Sequence, residues 1–295
     1  MSGGTSFVFG VVADIQYACK GIGHTEGRAQ RYEEVPQKLM QAVQIWHRDD
    51  PKLGFVLSLG DIIDGGSTQA ETDEDFSYIK KILGPVADTT KFLHVLGNHC
   101  LTVPRQRLLD ELRMPGSYYS QELPSKWRLI VLDTTEMSGH SQYPKDSPLA
   151  QEAAQFKAQH PMSDEEPQMA DWNGGIGSAQ LGWLNEQLAL AKLSGERVIV
   201  ACHHQIGQGA ARKTHMAWNW VELQQLLLAS PCVRLVLSGH DHMGGYAQHG
   251  HVHFVTVEAM LEAPAHTDAY AIVEVTQECV HIKGAGSVAS RQLRV

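Results

Sequence analysis

Five short clusters of acidic, amide and imidazole residues recur along the chain, each directly behind an apolar run. They are Asp14-Ile15-Gln16, Gly60-Asp61-Ile62-Ile63-Asp64, Gly97-Asn98-His99, His203 and Gly239-His240-Asp241-His242. This donor mix suits two divalent cations. Two such ions about 3.5–4 Å apart supply what phosphoester hydrolysis needs, a hydroxide near neutral pH and a positive clamp on the phosphoryl oxygens. The pair needs a bridging carboxylate, and Asp61 is the candidate. Asp14 and Gln16, with one residue between them, can reach one metal from a tight loop, and His242 turns back to the same ion. Asn98, His203 and His240 would complete the second. Two carboxylates and a hydroxide against two dications leave the site attractive to an anionic phosphate.

His99 follows a proposed ligand, so its side chain should point away from the metals toward the leaving group. Asp64, three residues after Asp61, could hold it as an imidazolium. That pairing makes His99 a general acid or transition-state clamp, worth roughly 10²–10⁴ in rate. The bland alternative is that Asp64 only ties down its own loop. His204 competes with its neighbour for the ligand role; His203 is preferred because it comes directly after its strand.

The elements that must position these groups follow a strand, motif, helix rhythm, which reads as an α/β fold. The apolar runs are FVFGVV, FVLSL, FLHVL, VIVAC and RLVLS, and loops at the carboxyl ends of strands are where α/β sheets place their ligands. Helical spacing is expected over 33–47, around 74–83, over 105–113, over 178–193 with Ser178 as its cap, and over 219–229. Strands are expected at 55–59, 92–96, 127–132, 197–202 and 233–238, with shorter, more antiparallel ones near 245–257, 269–275 and 279–283. From about 134 to 177 the chain turns polar and carries four prolines, reading as an insertion with one helix near 148–158. No linker or repeat divides the sequence, so residues 1–295 read as one domain.

With 295 residues, 43% apolar and 19% charged, the chain can bury a sizeable core. A formal net charge of -9 without a basic block argues against nucleic acid as the partner. Five cysteines without a CxxC suit reduced thiols in a reducing compartment. Neither a basic leader nor an 18-residue apolar stretch is found, so a cytoplasmic chain without a membrane span is expected.

The set D-x-[HQ], GDxxD, GNH, H and GHxH resembles the calcineurin-like metallophosphoesterase superfamily. Within it, Gln16 in ADIQYA, LGDIIDG (59–65), LDTTE (132–136), NGGIG (173–177), QLGWL (180–184), MAWNW (216–220) and GHDHMGGY (239–246) resemble the manganese-dependent ADP-ribose/CDP-alcohol diphosphatases. The resemblance spans about residues 7–286. It implies a four-layer α/β/β/α sandwich with two mixed sheets and cleavage of a diphosphate linkage to a nucleoside monophosphate. It also implies two divalent ions, Mn²⁺ first and Mg²⁺ second. An amide oxygen at Gln16, where most relatives have His, agrees with a harder cation than zinc. Cys100 stands where many relatives carry Glu, so one supporting acid is missing; the thiol reads as packing or as an oxidation-sensitive position.

The expected substrate is a small nucleoside diphosphate compound such as ADP-ribose, CDP-choline or CDP-glycerol. Arg28 and Arg31 could grip its distal phosphate, or belong to a solvated helix start. Trp218 could stack on a base with Asn219 on its edge, or the two could form a cap beside core tryptophans. Asn173, with Gly174 and Gly175, could approach the ligand closely. His249, His251 and His253 alternate as if on one strand face, a weak metal pattern. Glu258 and Glu262 could frame the substrate. The alternatives are a cyclic-nucleotide or general phosphodiesterase with the same metals, and a non-catalytic scaffold on this fold.

Overall fold

The structure is a computed structural model that describes residues 6–48 and 52–295. β1 (Phe7–Val12) leads into the hairpin β2 (Ile22–Thr25) and β3 (Arg28–Arg31), then α1 (Val35–Trp46), β4 (Phe55–Ser58), α2 (Gln69–Thr89) and β5 (Lys91–His94). Next come α3 (Arg105–Glu111), β6 (Tyr119–Leu123), β7 (Trp127–Val131), β8 (Met137–Ser138), α4 (Pro148–Gln159) and β9 (Gly174–Gly175). The chain continues through α5 (Ser178–Leu193), β10 (Arg197–Ala201), α6 (Trp220–Ala229) and β11 (Val233–Ser238). It ends with β12 (Gly245–His249), β13 (Val252–Thr256), β14 (Ala269–Val275), β15 (Cys279–Gly286) and β16 (Arg291–Arg294).

Two mixed six-stranded sheets result, ordered β16-β15-β14-β1-β4-β5 and β12-β13-β11-β10-β7-β6. β1, β4 and β5 run parallel, and β14 to β16 extend that sheet in antiparallel fashion. In the second sheet β7, β10, β11 and β13 are parallel, flanked by antiparallel β6 and β12. Successive strand residues point to opposite faces, and the buried side chains sort accordingly. Leu129, Val131, Ile199, Ala201, Leu235 and Leu237 join the core shared with the first sheet. Their neighbours Ile130, Val198, Val200 and Val236 pack with Leu184 and Leu188 of α5 and Leu223 and Leu227 of α6. On β1, Phe7 meets Trp127 across the sheets at 6.4 Å between rings, while Gly10 on the other face lies under Trp46 of α1. The layers are therefore α/β/β/α. Among the described residues no helix is long and apolar enough to cross a membrane.

Four local expectations are corrected. α2 begins at Gln69, earlier than the expected 74, because Thr68 and Glu71 form a capping box. Ser178 does not cap α5. Gly177 holds that position, and the first amides are met by acids from elsewhere: Gly177 N–H donates to Glu136 at 2.5 Å and Ser178 N–H to Glu152 at 2.7 Å. The stretch containing Arg28 and Arg31 is a hairpin strand rather than a helix start, with a two-residue turn at Glu26 (φ +52°) and Gly27 (φ +79°). His249, His251 and His253 do not share one strand face: the first lies in β12, the second in the turn, the third in β13. Each ring instead bonds a separate backbone carbonyl, of Gln208, Ser230 and Arg294 respectively.

Candidate active site

The motif loops sit at the carboxyl ends of β1, β4, β5, β10 and β11, so both sheets aim their ends at one place. The backbone there is unusual. Asp14 (φ +47°), Gln16 (φ +46°), Asp61 (φ +47°) and His240 (φ +69°) all adopt left-handed conformations that side-chain-bearing residues avoid. The motif glycines leave room for their neighbours. A Cβ on Gly97 would lie 2.2 Å from Asp61 Oδ1, one on Gly60 2.4 Å from His203 Nδ1, and one on Gly239 2.6 Å from Asp14 Oδ2.

The side chains so gathered turn acceptor atoms toward one another, while backbone amides of His99, Cys100 and His240 donate to Asp61 and Asp14 from outside. His203 Nδ1–H donates to Leu59 O at 2.8 Å, which leaves the lone pair on Nε2. That lone pair lies 3.1 Å from Asp61 Oδ2 and 3.1 Å from Asn98 Oδ1, both acceptors too. His242 Nδ1–H donates to Glu262 at 2.9 Å, and its Nε2 faces Asp14 Oδ1 at 3.6 Å. His240 Nε2–H donates to Asn173 Oδ1 at 2.6 Å, which leaves the lone pair on Nδ1. Gln16 Nε2 donates to Asp64 at 2.8 Å, while its Oε1 is buried with no hydrogen-bond partner among the described residues. An acceptor cluster of this kind, with Asp14, Asp61 and His203 offering atoms within 4.8 Å of one another, is what divalent cations require. Asp14, Gln16, Asp61, Asn98, His203, His240 and His242 could therefore hold a divalent metal pair.

Other predicted residues take different positions. His204 lies beside His203 and His240, yet its Nδ1 engages Thr134 Oγ1 at 2.9 Å and its Nε2 engages Trp172 O at 3.3 Å. Both nitrogens are occupied, and burial with the neighbouring His203 pushes its pKa down to about 3, so His204 is a neutral strut. Asn173 is fully buried and anchored on the carbonyls of Gln168 and Thr214, so it orients His240 and does not touch the cleft. Trp218 is buried against Met137 and Met169 with its indole N–H on Ala170 O, which corrects the base-stacking expectation. Asn219 occupies the N-cap position of α6 without a side-chain capping bond and faces no base; its amide clamps the Ile176 backbone. Arg31 pairs with Glu34 at 3.2 Å and lies outside the cleft lining, because β3 alternation turns it away from Arg28. Cys100 is buried and burial pushes its thiol up to about 12, so it is unreactive packing.

The cleft above the cluster holds about 490 Å³ and is lined by Gln16, Asp61, Asp64, Asn98, His99, Arg28, His240 and His242. His99 stands at its wall, with Nδ1 3.0 Å from Asp64 Oδ1. Burial disfavours charge on His99, but Asp61 and Asp64 outweigh it and push its pKa up to about 9. Bound cations would compensate Asp61 but not Asp64, so Asp64 is the lasting support of the imidazolium. Asp64 also accepts from Lys20 and Gln16, which fixes the Gln16 carbonyl orientation. Glu26, Trp172, Arg212 and His215, none of them in the sequence motifs above, also line the cleft. The two-residue turn at Glu26-Gly27 was a usable signal for the first; the others lie in irregular segments without periodicity.

Comparison with known proteins agrees with this architecture. The Calcineurin-like phosphoesterase family matches residues 7–244. A manganese-dependent ADP-ribose/CDP-alcohol diphosphatase of Arabidopsis thaliana is 33% identical, covering 94% of each chain. Its namesake from Oryza sativa subsp. japonica is 32% identical over 97% of this chain and 94% of that one. A crystal structure of a dimetal phosphatase from Danio rerio superimposes with a TM-score of 0.89 at 25% identity over 98% of both chains. The chain thus belongs to the calcineurin-like phosphoesterase family, in the company of relatives named as metal-dependent diphosphatases.

Proposed function

We propose that this chain, acting as one domain over residues 1–295, is a manganese-dependent hydrolase of nucleoside diphosphate compounds. ADP-ribose and CDP-alcohols are the leading substrates, and a nucleoside monophosphate is the product. The observation that carries the reading is the convergence of acceptor atoms at the cleft floor, with Gln16 Oε1 unpartnered and His203 Nε2 turned to both Asp61 and Asn98. The names of the relatives support the substrate class. Asp14, Gln16, Asp61, Asn98, His203, His240 and His242 would hold two divalent ions. When bound, such ions supply a hydroxide at neutral pH and neutralise the phosphoryl oxygens.

The protein's own part is positioning and proton supply. Asn173 and Glu262 fix the tautomers of His240 and His242, which keeps a lone pair on each inner nitrogen. Asp64 holds His99 by Nδ1. His99 Nε2 lies 3.2 Å from Gln16 Nε2, and two donors cannot bond each other. The Nε2–H of the imidazolium is therefore available for a substrate oxygen, either clamping the phosphoryl group or protonating the leaving phosphate. Trp172, 47% exposed at the cleft rim, offers an aromatic face for a base.

The test is hydrolysis of ADP-ribose, CDP-choline, 2′,3′-cyclic AMP and bis(4-nitrophenyl) phosphate with Mn²⁺, Mg²⁺ or Zn²⁺. Release of AMP or CMP from the diphosphates, strongest with Mn²⁺, is expected. Activity confined to the cyclic or aryl diesters would keep the metal centre and discard the diphosphatase reading.

A further inference from the structure

Two guanidinium groups meet at the cleft mouth, and the partners they share are unusual. Arg212 is held along one edge by the buried Asp241: Nε lies 3.0 Å and Nη2 2.8 Å from Oδ1, and the Arg212 amide donates to Oδ2 at 2.7 Å. Asp241 stands between His240 and His242 in sequence, so this guanidinium is fixed one residue from the metal cluster. Arg28 is tied in the same way, its Nε 3.1 Å from Glu262, whose other oxygen holds His242. Both arginines then turn their outer nitrogens to a single atom, Glu26 Oε2. Arg28 Nη2 reaches it at 3.0 Å, and Arg212 Nη1 contacts it as well. Arg28 Nη1 is buried and has no acceptor among the described residues.

One carboxylate oxygen bridging two guanidiniums, with a donor left over, is an incomplete match. A phosphate offers more acceptor oxygens around one centre and can take the donor that Glu26 leaves empty. Glu26 is also free to leave. It sits in the left-handed turn of the β2–β3 hairpin, is 52% exposed on its side chain, and among the described residues makes ion pairs with these two arginines alone. Resting on the diphosphatase reading, we propose that Arg212 and Arg28 seat the second, non-reacting phosphate of the substrate, and that the Glu26 carboxylate fills this seat until substrate displaces it. The seat favours a diphosphate over a diester with a single phosphorus, because only the former carries an anion beyond the metal-bound group.

The experiment compares ADP-ribose with bis(4-nitrophenyl) phosphate in Mn²⁺ for the wild type, Arg212→Gln and Glu26→Gln. For Arg212→Gln the ratio of kcat/KM on ADP-ribose to that on the aryl diester should fall about tenfold or more, the scale of a lost charge-assisted contact. For Glu26→Gln, an exposed change that spares the core, KM for ADP-ribose should fall severalfold. An equal loss on both substrates in Arg212→Gln would overturn the seat, since Arg212 would then only brace Asp241. A Glu26→Gln enzyme with unchanged or higher KM for ADP-ribose would also overturn it. If the wild type cleaves only the aryl diester, the diphosphatase reading fails and the seat with it. ADP-ribose turnover with an unaltered ratio in Arg212→Gln sinks the seat alone.

Discussion

A methyl group at position 97 would stand 2.2 Å from Asp61 Oδ1 and 2.6 Å from Asp61 N, so Gly97 is where the smallest change should do most harm. Gly97→Ala must push Asp61 out of the acceptor cluster. We expect Mn²⁺ affinity to drop at least roughly tenfold, as when a supporting group is lost, with the circular dichroism spectrum retained; isothermal titration would check it. His99→Asn should behave differently, lowering kcat by roughly 10²–10⁴ while the metal content stays at the wild-type level. Metal loss in that variant would make His99 a ligand instead. The acceptor residues themselves were legible because each is a metal-binding type placed directly after an apolar strand. Their braces were not. Asn173 and Glu262 act on histidines 67 and 20 positions away in the sequence, and no local pattern announces such a contact. The same distance effect hid Arg212, whose partner Asp241 lies 29 residues on.

At the level of elements, strands and helices with clear periodicity could be read in advance, and those built on borrowed contacts could not. α5 has no cap of its own, so the sequence pointed to Ser178 while the fold supplies Glu136 and Glu152 from the preceding segment. Trp218 and Asn219 misled for a related reason: an aromatic and an amide in a loop look available, yet here they fasten that loop to the 170–176 segment. Glu136 carries a measurable consequence. Burial, reinforced by Asp133, pushes its pKa up to about 7, against roughly 4.3 in an unfolded chain. Between these values the folded state holds the extra proton, so stability is greatest below the unfolded pKa and declines as pH rises through about 7. The loss is at most about 4 kcal/mol. Glu136→Gln should flatten this decline, raising the melting temperature at pH 8 relative to pH 5 when both proteins are compared by calorimetry. A parallel pH dependence in the two would rule it out.

For the molecule as a whole, the proposed ligands are divided between the sheets. Asp14, Gln16, Asp61 and Asn98 follow strands of the first, and His203, His240 and His242 follow strands of the second. Metal binding should therefore tie the two halves together. Saturating Mn²⁺, at about 100 times its dissociation constant, should stabilise the fold by roughly 2.7 kcal/mol, a rise of several degrees in Tm that a chelator reverses. No change on chelation would mean that the ions do not bridge the halves. The four left-handed residues carry a further implication, for the history of such a chain. Each of these conformations costs about 1–3 kcal/mol, and the cost is met only while the geometry is useful. Gln16→Gly relaxes the left-handed backbone and removes the buried Oε1 that lacks a partner among the described residues. Its metal-free form should melt above the metal-free wild type even as turnover disappears. A copy released from selection for catalysis would gain robustness by losing its chemistry, and these four positions are where that drift would first be visible.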